Sequence, residues 1–151
     1  MKQYIGTKII EAAPAVKKGG KVYDLTWPIP RSMEPEEPGY RVRYPDGYES
    51  WSPKDVFEEA YRRTDAMSFG LAIEAAKKGK RIARKGWNGK RQYVELATAI
   101  SYVSPIGAVV NAEHDAIGNQ ALAFVGTSGI QLGWLASQAD MLADDWMIVG
   151  S

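Results

Sequence analysis

The segment YRVRYPDGYESW, Tyr40–Trp51, constrains the fold more than any other part of the sequence. In its first half, apolar and aromatic residues alternate with arginines, which is the period of a strand with one buried face. Pro45-Asp46-Gly47 then favours a tight turn, and Tyr48–Trp51 returns as a second strand. The pattern therefore predicts an antiparallel hairpin.

Serine residues mark the predicted starts of three short helices. Ser52 precedes Pro53, and proline suits the first helical position. Ser68 precedes a stretch whose apolar residues recur at helical spacing. Ser137 precedes the third helix, with Asp140 three residues later as in a capping box. Each of these starts is expected to follow directly on a turn or a strand.

Short apolar segments between turn residues predict the remaining strands. Tyr4–Ala12 is expected to be the first strand, and residues 13–39, with five prolines, an irregular but ordered loop. Residues 97–120 are ambiguous. Further strands are predicted at Arg81–Arg84, Tyr93–Leu96, in a hairpin within 121–134, and at 145–149. The fold class expected is α+β, with small antiparallel sheets and short helices. It comprises an N-terminal β-hairpin–helix extension over 1–66 and a core over 67–151.

Composition excludes several classes of protein. The chain of 151 residues is 45% hydrophobic, carries a formal net charge of +1 and has no cysteine. A disulfide scaffold, cysteine-ligated zinc and cysteine catalysis are therefore excluded. The N-terminus lacks the apolar stretch of a secretory signal, and no apolar run reaches the roughly 18 residues of a membrane helix. We expect a soluble protein of a reducing cytoplasm.

The charge is unevenly distributed along the chain. Residues 75–94 contain eight basic residues and no acid, so the other residues together are net acidic. The eight are Lys77, Lys78, Lys80, Arg81, Arg84, Lys85, Lys90 and Arg91. A local basic segment in an otherwise acidic chain suits a small anionic ligand better than a long polyanion, and a merely solvated surface is the alternative.

Catalytic motifs are scarce. His114 is the only histidine and is expected in an exposed loop, so neither a metal site nor histidine-based catalysis is indicated. Neither a nucleophile elbow nor a phosphate-binding loop occurs. Asp144 and Asp145 are adjacent, so their side chains should diverge rather than form a carboxylate pair. We expect no enzyme activity, no cofactor and no metal.

The sequence does contain groups that could hold a nucleotide. Trp87, on a glycine-flanked turn, and Trp134, at a strand end, could stack on bases, whereas core packing is the alternative for both. Trp51 and Trp146 are expected mainly in the core. Asn88, Gln138 and Asp140 could bond hydroxyls or base edges. Arg84, Lys85 and Lys90 could meet phosphates, and the free N–H groups after Ser137 offer a further anion site.

Two blocks of the sequence resemble a known family. MSFGLAIEAAKKGKRIARKGWNGK and WLASQADMLADDWMIV, in this order, resemble the second family of phage Thoeris anti-defence proteins. The resemblance covers about 67–149, with an unusually apolar middle at 97–120. It implies a protein that sequesters, without cleaving it, the cyclic ADP-ribose-type signal of bacterial Thoeris immunity, expected here as glycocyclic ADP-ribose. For some members it extends to cyclic oligonucleotides, so cyclic dinucleotides are further candidate ligands.

The resemblance also implies where and how the protein acts. It is similar to an α+β fold that assembles as a homotetramer, in the cytoplasm of the infected bacterial host, with ligand sites at subunit junctions. Its signal pocket maps onto Trp87, Asn88, Trp134, Ser137, Gln138 and Asp140, to which the residue chemistry adds Arg84. We expect no membrane or nucleic-acid partner. A nucleotide-degrading hydrolase and a phage structural or nucleic-acid-binding module remain the alternatives.

Overall fold

The computed structural model describes residues 1–87, 91–111 and 120–150. It divides into two compact units, Met1–Arg62 and Arg63–Ser151. Both units are built on antiparallel sheets with a few short helices, so the predicted α+β class is confirmed. The division follows Arg62, whereas the sequence expectation placed it after residue 66.

The first unit is a four-stranded sheet followed by one helix. Its strands lie in the order β2-β1-β3-β4, and the three pairings between neighbouring strands are antiparallel. Their bounds are β1 Glu11–Lys18, β2 Lys21–Asp24, β3 Glu37–Arg43 and β4 Glu49–Pro53, and the helix is α1 Lys54–Ala60. The predicted hairpin of Tyr40–Trp51 and the helix after it are therefore present, as β3, β4 and α1.

The start of the chain was predicted wrongly. The first strand begins at Glu11 rather than Tyr4, and residues 13–39 contain most of β1, all of β2 and the start of β3. The reason is the Gly19-Gly20 pair, whose φ angles of +58° and +76° fit the two central positions of a tight hairpin turn. This turn brings Lys18 opposite Lys21, so a strand pair occupies the segment expected to be a loop.

The predicted cap of α1 was also misplaced. Ser52 lies within β4, opposite Tyr40, because the sheet continues to Pro53. Pro53 is the N-cap, its side chain makes no capping bond, and Asp55 lies in the first helical turn. Sheet pairing of the Ser52 backbone has thus moved the helix start by one residue.

The second unit is a five-stranded sheet with two helices and a separate two-stranded ribbon. The strand order is β10-β9-β6-β5-β11, and β7 pairs with β8. The strands are β5 Arg81–Arg84, β6 Tyr93–Thr98, β7 Ser101–Val103, β8 Val109–Asn111, β9 Gln120–Gly126, β10 Gly129–Leu132 and β11 Trp146–Val149. The helices are α2 Phe69–Lys77 and α3 Gln138–Met141. The ambiguous segment therefore contains the ribbon, and residues 112–119 lie outside the described part of the chain.

The core of the second unit lies between α2 and the sheet. One face of α2 buries three alanines, at 72, 75 and 76, against Ile82 and Val94 of the central strands and Trp146 of β11. Ser68 caps α2 by accepting a hydrogen bond from the Leu71 N–H, as predicted. Gly79, with φ +88°, follows the helix end and lets the chain turn into β5. No helix in the described ranges is both long and apolar enough to cross a membrane.

Candidate functional site

Four aromatic rings of the second unit form one cluster, which we call the aromatic cluster: Trp87, Phe124, Trp134 and Trp146. The Trp87 ring lies edge-on to the other three, at centroid distances of 5.4 Å from Phe124, 6.0 Å from Trp134 and 5.4 Å from Trp146. Phe124 and Trp134 are stacked at 6.1 Å. Trp146 is fully buried, whereas the other three are only partly buried. Parts of the Trp87, Phe124 and Trp134 rings are therefore accessible at the surface beside the core.

Tight turns place the two partly buried tryptophans, Trp87 and Trp134. The Trp87 N–H donates to the Arg84 carbonyl at 3.2 Å, directly after β5 ends. The N–H groups of Gly133 and Trp134 both donate to the Leu122 carbonyl at 2.9 Å, and Gly133 has φ +80°. These bonds turn the chain at the end of β10 and set the Trp134 ring against Phe124.

The start of α3 lies beside the aromatic cluster. Ser137 Oγ accepts a hydrogen bond from the Asp140 N–H at 3.1 Å, and Asp140 Oδ2 accepts one from the Ser137 N–H at 3.2 Å. This is the predicted capping box. The indole N–H of Trp146 donates to the Asp140 carbonyl at 2.8 Å, so the same helix start is bound to the core ring.

Arg84 links the start of α3 to the sheet through ion pairs. Its Nη1 lies 3.0 Å from Asp140 Oδ1, and its Nε lies 2.9 Å from Asp145 Oδ1. The guanidinium is therefore already paired with two carboxylates, and the group of three charges is net negative. Burial raises the pKa of Asp140, but hydrogen bonds from Arg84 and Ser137 outweigh it and hold the pKa below its ordinary value. Asp140 is thus an ionised acceptor at neutral pH.

Asp145 is a member of this site that the sequence analysis missed. It binds Arg84 across 61 positions in the chain, because β11 and β5 pair with Trp146 opposite Arg84. Asp144, its neighbour, is exposed. Phe124 was missed as well, since its position opposite Val94 depends on the register of β6 and β9. Only the strand pairing reveals either residue.

The structure brings most of the predicted site residues together. Arg84, Trp87, Trp134, Ser137 and Asp140 form one connected group through the contacts above. Gln138 is exposed at the first position of α3, at the rim of this group. Asn88 and Lys90 lie outside the described residues, as does His114.

The basic segment is partly neutralised by nearby acids. Besides Arg84, Lys77 lies 3.6 Å from Glu74, and Arg81 lies 3.4 Å from Glu95 with its guanidinium over the Tyr93 ring. Lys85, two residues before Trp87 in the chain, is exposed. The segment is therefore less cationic in the fold than in the sequence. Within the described residues, no group of three His, Cys, Asp or Glu side chains is placed to hold a metal ion.

In the first unit, Arg41, Arg43 and Tyr48 line two different recesses. Arg41 and Arg43 line a recess of about 100 Å³, below the ~300 Å³ of small ligand sites. Both are paired with Glu49, and Arg41 also with Asp24. Tyr48 lines a different recess and stacks on Tyr44 at 6.0 Å. The three residues thus do not share one pocket in this unit.

Comparison with known proteins places the second unit in a family. The family model for the Thoeris anti-defense 2-like domain matches residues 67–149. "Thoeris anti-defense 2" of Bacillus phage SP01 is 36% identical over 88 residues, which cover 55% of this chain and 94% of that protein. The match includes α2, the aromatic cluster, the capping box of α3 and β11, and it leaves out the four-stranded first unit. The chain therefore belongs to the Thoeris anti-defense 2-like family.

Proposed function

We propose that this protein blocks Thoeris immunity by binding glycocyclic ADP-ribose and sequestering it uncleaved. The observation that carries the proposal is the aromatic cluster beside the capped start of α3, within the segment that matches the family. A cyclic ADP-ribose has an adenine ring, ribose hydroxyls and a pyrophosphate. Each of these has a matching group at or beside this site.

The accessible parts of the Trp87 and Trp134 rings would hold the base. Trp87 and Trp134 are partly buried, so each ring packs on the core and keeps part of its surface accessible. Stacking of a base on such a ring contributes about 1–3 kcal/mol and needs no particular base edge. A ring fixed in this way loses little side-chain entropy on binding.

The charged groups at the site would bind the ribose hydroxyls and the phosphates in different places. The group formed by Arg84, Asp140 and Asp145 is net negative, so it would repel a pyrophosphate and accept hydrogen bonds from ribose hydroxyls. Lys85, two residues before Trp87 in the chain, is exposed, and we propose that it meets the phosphates. Asn88 and Lys90, which follow Trp87 in the sequence and lie outside the described residues, are proposed as further ligand-binding residues.

The same proposal covers mode of action and assembly. The protein acts by binding rather than by hydrolysis, as a homo-oligomer, with the tetramer as the proposed state. It works in the cytoplasm of the infected host, without cofactor, membrane or nucleic-acid partner. Cyclic dinucleotides are candidate second ligands because they also combine bases with phosphates.

The test is calorimetric titration of the full-length protein with glycocyclic ADP-ribose and with a panel of cyclic dinucleotides. We expect saturable binding of glycocyclic ADP-ribose, and heat denaturation of the complex should release it intact by chromatography. Release of a cleaved ligand, at many turnovers per protein, would establish the hydrolase instead.

A parallel titration with single-stranded DNA tests the nucleic-acid alternative. Because a polyanion site releases counterions, its affinity would be micromolar or better and would fall steeply with salt. We expect no such binding at physiological salt, since acids neutralise part of the basic segment. Tight DNA binding without binding of the cyclic nucleotide would refute the proposal.

A further inference from the structure

The ribbon formed by β7 and β8 is a well-defined structure, which we call the arm. Its turn is closed by the Ser104 N–H, which donates to the Ala108 carbonyl at 2.7 Å, and by the Gly107 N–H, which donates to the Ser104 carbonyl at 2.9 Å. Gly107, with φ +86°, supplies the left-handed residue that the turn needs. The arm is therefore a formed hairpin.

The arm exposes side chains that are typical of a sheet interior. Tyr102 is 61% exposed, Val103 68%, Ile106 91% and Val109 67%. A two-stranded hairpin is at best marginally stable by itself, and aromatic and β-branched side chains stabilise a sheet only when another surface covers them. The arm thus has the composition of a strand pair that docks on something.

A second apolar surface lies at the edge of the five-stranded sheet. β10 is the last strand on its side, and Ile130 and Leu132 are 71% and 49% exposed. Leu135, which follows shortly after, is also exposed. Edge strands ordinarily carry a charge, a proline or a bulge that prevents further pairing. The sequence GIQL of β10 has neither a charge nor a proline.

Both surfaces lack charged residues, and one is a strand pair whereas the other is an unpaired strand edge. Residues 97–111 and 120–139 contain no Asp, Glu, Lys or Arg. A charged partner would have to desolvate its charges without compensation on either surface. A strand edge needs a strand to pair with, and the arm needs a sheet to extend. Together their side chains expose on the order of 800 Å², the area that each partner buries in an interface of standard size.

We propose that the arm of one copy of this chain docks on the β10 edge of a second copy, and that the arm of the second copy docks on the β10 edge of the first. This exchange is closed by a two-fold axis, as in most homodimers. The inference rests on the homo-oligomer in the proposed function and assigns the surface that forms it. It does not depend on which signal is bound.

The test uses one charge placed on each surface. Val109→Lys blocks the arm, Ile130→Lys blocks the edge, and Met33→Lys places the same charge on an exposed position of the first unit. By light scattering, we expect the wild type to be an oligomer, the first two variants to lose at least half of its mass, and Met33→Lys to keep it. If Ile130→Lys melts early, Leu132→Thr tests the same edge.

Mixing the two blocked variants tests the pairing itself. Val109→Lys retains a free edge and Ile130→Lys retains a free arm, so the mixture should contain a species at least twice as heavy as either variant alone. No gain on mixing would refute docking of the arm on the edge, and unchanged masses of the single variants would refute the surface. A monomeric wild type that still binds glycocyclic ADP-ribose would overturn this inference and leave sequestration standing. If the oligomer responds to the variants as expected but the protein binds no glycocyclic ADP-ribose, the proposed sequestration is refuted and this inference stands.

Discussion

The paired carboxylates at Arg84 allow a sharp prediction about stability. Asp140→Asn and Asp145→Asn each keep the side-chain volume and remove one of the two ion pairs of the guanidinium. A hydrogen bond to a charged group contributes about 1.5–3 kcal/mol, and partial solvent exposure reduces this. Because the Arg84 side chain is 23% exposed, each single change should cost about 1 kcal/mol.

The double variant should cost more than the sum of the single ones. With both carboxylates gone, a mostly buried guanidinium has lost its two ion pairs, which adds the cost of an unsatisfied charged donor. We expect about 3 kcal/mol in all, a non-additive result typical of one shared network. In thermal unfolding this is a drop of roughly 4–8 °C per kcal/mol for a unit of this size. Signal affinity should fall too, because the start of α3 is no longer held to β5.

The control and the pH dependence make the test decisive. Asp144→Asn changes the exposed neighbour and should leave the melting temperature unchanged. The pKa of Asp140 is lowered in the folded protein, so its contribution is complete above the ordinary value of 3.8 and is lost as pH falls through the folded pKa. The difference between wild type and Asp140→Asn should therefore shrink in acid. A double variant whose cost is the plain sum, or an Asp144→Asn variant equally destabilised, would contradict the network.

Three further changes have directions fixed by the structure. Trp146→Ala empties a fully buried position and should cost about 3–5 kcal/mol in chemical denaturation. Gly39→Ala should destabilise the first unit in thermal unfolding, because a Cβ at this position would overlap the Ser52 carbonyl and the Trp51 ring. Hydrogen bonds from Thr26 and Arg41 lower the pKa of Asp24 from 3.8 to about 2. The stability they provide should be lost between these pH values, and Asp24→Asn should abolish that part of the acid dependence.

The sequence predicted the elements whose signals are local. The caps at Ser68 and Ser137 were predicted because each is decided within four residues, and the hairpin of β9 and β10 because its turn lies between two apolar runs. The Gly19-Gly20 turn is equally local, but the prolines of residues 13–39 favour irregular structure and so masked this signal. Ser52 was misassigned because sheet pairing with Tyr40 overrides its capping preference.

The site was predicted in part for the same reason. The tryptophans and the capping box were found because they stand on turns and helix starts that the sequence marks. The pairing of Arg84 with Asp145 depends on the register of β5 and β11, which no short segment contains. The sequence also could not show that two carboxylates already pair with Arg84, which is the reason why our proposal assigns the phosphates to Lys85 instead.

Removal of the Trp87 or the Trp134 ring should weaken binding of the signal. Trp134→Ala and Trp87→Ala each remove one stacking surface, worth roughly 1–3 kcal/mol, or about ten- to a hundredfold in affinity. Both rings also pack on the core, so each variant should melt earlier than the wild type, but later than Trp146→Ala, because they are only partly buried. Trp51→Ala, in the first unit, is the matched control for loss of a large ring.

The most direct measurement is the dissociation constant of glycocyclic ADP-ribose for Trp134→Ala, taken at a temperature where the variant is fully folded. The account predicts an affinity at least tenfold weaker than that of the wild type and of Trp51→Ala. A folded Trp134→Ala protein with undiminished affinity would contradict it, because the signal would then bind away from the aromatic cluster.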